Sequence, residues 1–155
     1  MYKKKDCGMT LLEVLLSLVI TGIIVSIILP LYTNQYRLSK EIACKAETDF
    51  TLLRAGQVLT SAVQEGIHVE WKGEKLFVTF QQSGKTIVDS FYLADKDRDG
   101  ILDLYREHLG VPNPVVSGLK GFNCSVISDK LWRISLLAVQ EGKEVSWERK
   151  VRQRI

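Results

Sequence analysis

From Val14 to Tyr36 the chain carries no charged residue, and Val14–Pro30 is almost wholly apolar. A helix needs about 20 such residues to cross a bilayer, so this stretch can span one. It constrains the rest of the chain, because whatever follows is a domain attached to a membrane. A secretory signal peptide is the competing reading. Its apolar core would end at small residues of the A-x-A kind. Here the run ends Leu29-Pro30-Leu31-Tyr32, with bulky side chains. Lys3, Lys4 and Lys5 precede the span and are expected to stay cytoplasmic, which places everything after Tyr36 outside.

Beyond the span the helical pattern continues. Leu38, Ile42, Ala46, Phe50, Leu53, Gly56, Leu59 and Val63 recur every three or four residues, with Lys40, Glu41, Lys45 and Glu47 between them. One long helix is expected, from about Thr10 to Ala62, its second half laying that stripe on a globular head. Pro30 removes a backbone hydrogen bond and is expected to kink it. Gly66 closes the helical pattern. His68–Trp71 and Lys75–Gln81 then read as strands flanking Lys72-Gly73-Glu74, a hairpin signal. Thr86–Ala94 and Ile101–Glu107 flank a run of aspartates. Val111-Pro-Asn-Pro114 and Ser117–Gly121 read as loops. Leu131–Val139 and Glu144–Arg152 form a second hairpin around Glu141-Gly142-Lys143. The expected fold class is α+β, a long N-terminal helix followed by an antiparallel β-sheet.

Composition narrows the function. The net charge of +3 in 155 residues is concentrated before residue 9, and the remainder is nearly balanced. No global basic field invites nucleic acid, so no direct binding to it is expected. Three cysteines make no disulfide framework, and no Cys/His cluster suggests zinc. His68 and His108 have no partner motif and read as surface or strand-end residues. No nucleophile–base pair is visible, so an enzyme is not expected.

Residues Gly8-Met-Thr-Leu-Leu-Glu-Val14, behind a short basic leader and ahead of the apolar span, resemble the processing site of type IV prepilins and pseudopilins. The resemblance is strong over about Lys3–Pro30. It implies that prepilin peptidase cuts between Gly8 and Met9 and methylates the new amine of Met9. The family usually begins its mature chain with phenylalanine, where this one has Met9, but that position is its tolerant one. Glu13 then falls at the fifth mature position and Pro30 at the twenty-second, both expected to serve assembly. The closing Val145–Ile155 looks like the last strand of some minor pilins and pseudopilins. The implied organisation is a leader at 1–8, a membrane and filament-core helix at 9–36, and an extracytoplasmic head at 37–155. The implied partners are other pilin or pseudopilin subunits, prepilin peptidase and a membrane assembly platform. The chain would reside in the cytoplasmic membrane and then in a pilus or pseudopilus. Physics supports this reading independently: a carboxylate in a membrane helix costs about 2.5–3.5 kcal/mol. Glu13 therefore calls for a partner: a free amine at Met9 lies one helical turn away, on its own chain or a neighbour's, and pairing with an adjacent subunit's amine would offset the cost and set axial register in a filament.

A second pattern lies in the head. Asp95-Lys-Asp-Arg-Asp-Gly-Ile-Leu-Asp103 places carboxylates at loop positions one, three, five and nine, with glycine at six. That is the start of a calcium loop of the EF-hand type. Asp95, Asp97, Asp99 and Asp103, with the Ile101 carbonyl, are the expected ligands of one calcium ion. The twelfth position is Arg106 rather than the usual glutamate, so the pattern is closer to the shorter aspartate loops between strands. A solvated acidic turn, partly neutralised by Lys96 and Arg98, is the plainer reading. Cys44 and Cys124 lie where a disulfide is permitted. Cys44 is about 200° around the helix from Ile42, so both the bond and two free thiols stay open. Two function classes follow: a filament subunit processed near its N-terminus, or a permanently anchored calcium-binding module.

Overall fold

The computed structural model describes residues 10–82, 84–140 and 142–154. Helix α1 runs Leu11–Glu65 as one element, with Pro30 inside it. The chain divides into two units between Ala43 and Cys44. In the first, the helix is long and apolar enough to cross a membrane: its most apolar 18-residue window has a mean hydropathy of 2.8 and no buried residue.

The second unit holds the rest of α1 and seven strands: β1 (His68–Lys72), β2 (Lys75–Gln82), β3 (Lys85–Ala94), β4 (Leu102–His108), β5 (Val111–Ser128), β6 (Leu131–Gln140) and β7 (Lys143–Arg152). They form one antiparallel sheet in the order β1 to β7, each strand beside its sequence neighbours. The fold is thus α+β. Gly73 and Glu74 both take positive φ, at 58° and 61°, in the two-residue turn between β1 and β2. That is the turn whose twist matches a right-handed hairpin. The sheet is strongly curled. Trp71 on β1 meets Phe122 on β5 edge to face at 5.1 Å between ring centroids, although three strands separate them in the ladder. After β7, the Gln153 amide reaches the Gly66 carbonyl ahead of β1 at 2.8 Å.

One face of this sheet packs on the helix. Strand β6 shows the alternation plainly, with Trp132, Ile134, Leu136 and Ala138 buried at every second position. They join Val78, Phe91 and Leu104 and the helical Leu52, Ala55, Leu59 and Val63 in one core. At Gly56 the Trp147 ring lies so close that a Cβ would overlap it.

The helix face differs from the expected stripe. Gly56, Leu59 and Val63 are buried, but Leu38, Ile42, Ala46, Phe50 and Leu53 are exposed, Phe50 at 67%. A step of four residues overshoots a turn by about 40°. The run 38-42-46-50 therefore drifts around the helix. The face that packs is Leu52, Ala55, Leu59 and Val63. A second correction concerns residues 111–114 and 117–121, expected as loops but lying in the first part of β5. Pro112 and Pro114 pair with Glu107 and Tyr105 of β4. Two residues apart, they lack their N–H on the same side of the strand. Until Leu119 that far side has no β6 partner, so no donor is missed. Bulges absorb the irregularity, one of them at Gly118 with φ of 88°.

Candidate functional site

At the helix start, Thr10 Oγ1 accepts the Glu13 backbone N–H at 3.3 Å. In return Glu13 Oε2 accepts the Thr10 backbone N–H at 2.9 Å and its hydroxyl at 3.1 Å. This is a capping box, which satisfies donors that a helix N-terminus otherwise leaves unpaired. The Thr-x-x-Glu spacing carries this cap in the sequence, where the expected partner of Glu13 is the Met9 amine of its own chain or of a neighbour. The structure gives its carboxylate a partner in its own chain. The Thr10 amide lies beyond Met9, so a cut after Gly8 would leave the box whole. Gly8 and Met9 lie outside the described residues.

The aspartate run joins β3 to β4. Asp95, Asp97 and Asp99 each bring a carboxylate oxygen within 4.8 Å of the other two. Asp95 Oδ2 accepts the Gly100 N–H at 3.0 Å and Asp99 Oδ1 the Ile101 N–H at 2.8 Å. Arg98 and Gly100 take positive φ, which makes the sharp turn. Asp95 Oδ1 is buried and, among the described residues, has no hydrogen-bond partner. The Ile101 N–H being taken, its carbonyl is what it can offer a cation. Asp103 stands on β4 opposite Ala94, buried, 3.5 Å from the Tyr105 hydroxyl and outside the three-aspartate cluster.

Lys96 turns onto tyrosines rather than onto the loop carboxylates. Its ammonium donates to the Tyr92 hydroxyl at 3.0 Å and lies 4.4 Å from the Tyr105 ring centroid. Among the described residues no ion pair joins Lys96 or Arg98 to these carboxylates. Loss of solvation first, then the Asp99 charge, hold the Asp97 carboxyl above the usual carboxylate range, and Asp95 and Asp103 add to this. Ionising Asp97 therefore works against the folded loop, and the penalty grows as pH rises through that range. Desolvation, with the Asp103 and Asp97 charges, likewise raises Tyr105.

A third cluster was missed. Asp89 on β3 is fully buried, and its Oδ2 accepts Arg106 Nε at 2.7 Å and Nη2 at 2.6 Å. Its Oδ1 lies 2.6 Å from His108 Nδ1. Antiparallel pairing sets Asp89 directly opposite His108, with Arg106 opposite Phe91. His108, expected to stand alone, thus has a buried partner. The available signal was parity: an aspartate two residues before Phe91 falls on the same inward face. The pairing register was needed to find its partners.

Cys44 and Cys124 are both free in the structure. Cys124 is buried in the core, and burial pushes its thiol up to about 12.

Compared with known proteins, residues 3–29 match the prokaryotic N-terminal methylation motif. No curated protein and no solved structure matches the chain.

Proposed function

We propose, from the premise that residues 3–29 carry the class III prepilin leader of type IV pilins, that this chain is a minor pilin or pseudopilin. It is a structural subunit cut by prepilin peptidase, held in the cytoplasmic membrane with its head outside, and assembled into a filament through α1. The observation that carries the reading is the position of the motif, which runs from the basic residues before α1 through its apolar segment, a stretch with no buried residue. The mature chain is expected to begin at N-methylated Met9, and Gly8→Ala is expected to leave nearly all of it uncut. Intact-mass measurement on membranes containing active prepilin peptidase checks both. Wild-type protein that keeps residues 1–8 would overturn the reading.

The capping box sharpens the test of Glu13. Glutamine can still accept the Thr10 hydrogen bonds at this position, but it carries no charge for a neighbouring amine. Glu13→Val and Glu13→Gln are both expected to insert in the membrane and to enter filaments poorly. If the glutamine variant assembles like wild type, Glu13 serves only to cap its helix.

The aspartate loop supports a second reading, a calcium-binding head, whether in a filament subunit or a permanently anchored module. It rests on three carboxylates sharing one centre, an unpartnered Asp95 oxygen, and a lysine turned away onto tyrosines. An all-oxygen donor set suits calcium. Binding to the folded state alone stabilises by about 2.7 kcal/mol at a hundredfold excess over Kd. The full chain in detergent micelles is expected to melt several degrees higher in millimolar calcium than in chelator. Asp97→Ala with Asp99→Ala should abolish the difference, and magnesium should substitute poorly. An unchanged melting temperature together with no calorimetric heat of binding would reduce the loop to an acidic turn.

A further inference from the structure

Two adjoining cavities, of 330 and 240 Å³, open beside the helix and share Glu65, Phe80 and Arg106. The first is a little above the lower limit for small-ligand pockets and the second a little below it. The helical wall has a polar rim over an apolar floor: Arg54, Gln57, Ser61 and Glu65 follow one another at three or four residues, all exposed, beside half-buried Val58 and buried Ala62. The opposite wall carries Gln81, Gln82 and His108, and half-buried Phe80 supplies an apolar surface.

Asp89 decides how this groove can act. Both its oxygens are turned inward onto Arg106 and His108, and it is fully buried, yet the side chains of Arg106 and His108 remain 44% and 41% exposed. A buried carboxylate behind two half-exposed partners fixes their orientation, as an outer carboxylate orients a ligating histidine. Arg106 uses Nε and Nη2 on Asp89, which leaves Nη1 to donate. The His108 Nδ1 hydrogen is held by Asp89, so a neutral imidazole offers Nε2 as an acceptor. A fixed donor and a fixed acceptor therefore line the same cavity, beside two glutamine amides.

Charge selects the ligand. Arg54 and Arg106 are balanced by Asp89 and Glu65, so an anion finds Arg106 already paired and Glu65 repelling it. A peptide adding as a strand needs a free sheet edge, but β2, β3 and β4 are interior strands of the ladder. What remains complementary is a neutral molecule with hydroxyls that both donate and accept and a C–H face for Phe80. We infer that this groove binds a short neutral oligosaccharide, recognised by Arg106 and His108, with Asp89 as their positioning residue.

The test uses the full chain in a detergent without a sugar headgroup. It is titrated with a trimer of N-acetylglucosamine, a trimer of glucose, and an aspartate-rich peptide, while binding heat and the His108 ring NMR signals are followed. One trimer is expected to bind saturably, with Kd on the order of millimolar or tighter, and to shift His108. Gln82→Ala with Gln57→Ala, both at exposed positions, is expected to weaken it about tenfold without changing the melting temperature. The inference is overturned if neither trimer binds, if the peptide binds in their place, or if the double variant binds as wild type does. Processing after Gly8 is measured separately, so either result leaves the filament reading to its own test.

Discussion

Arg106→Leu combined with His108→Leu is expected to lower the unfolding free energy of the head by about 3–5 kcal/mol, the usual cost of stranding a buried charge. Asp89 has no exposed surface through which water could replace its two partners. The reverse change is milder. In Asp89→Leu the arginine and histidine, each about half-exposed, can turn to solvent. Adding Asp89→Leu to the double variant should accordingly restore most of the loss, since an apolar replacement of a whole buried ionic group is often neutral or stabilising. Urea melts of the three variants in detergent micelles measure this. A double variant that unfolds with the wild type would show that the carboxylate does not depend on Arg106 and His108.

Gly56→Leu is expected to cost about 3 kcal/mol, at the upper end of ordinary overpacking. Glycine is a poor helix former, so exchange at an open helical position would stabilise. Here the Trp147 ring occupies the place of the missing side chain. A leucine must displace the indole, which uncovers part of the core between helix and β7. Trp147→Ala in the same chain opens that space, so the two changes should be strongly non-additive. Independent, summed effects in thermal melts would mean that the helix can shift away from the ring at little cost.

Those two sites also mark how far the sequence could be read. The helix and six strands were legible because their periods of 3.6 and 2 are local properties. Trp132, Ile134, Leu136 and Ala138 announce β6 with no knowledge of its neighbours. Strand β5 was hidden because Pro112, Pro114 and Gly118 are breakers in isolation. They are tolerated only because that end of the strand has one free side and a bulge. The apolar stripe was half right. Gly56, Leu59 and Val63 belong to the buried face, but the four-residue steps before them follow a line that leaves it. Among candidate site residues, Asp95, Asp97 and Asp99 converge because alternate positions of one tight turn are close by construction. Asp89, Arg106 and His108 come from different strands, and only register joins them.

Because each strand of the meander pairs with the one made just before it, the sheet can grow in the order of synthesis, with little loop entropy lost at each step. Closure is different. The hydrogen bond from Gln153 to Gly66 spans 87 residues, and Trp147 covers Gly56 from the last strand. A polypeptide that stops short of β7 would leave the Gly56 flank of the helix bare and Gly66 without its Gln153 hydrogen bond. Strand β7 thus closes the curled sheet on the helix: until it pairs, the side of the core that Trp147 covers stays open to water.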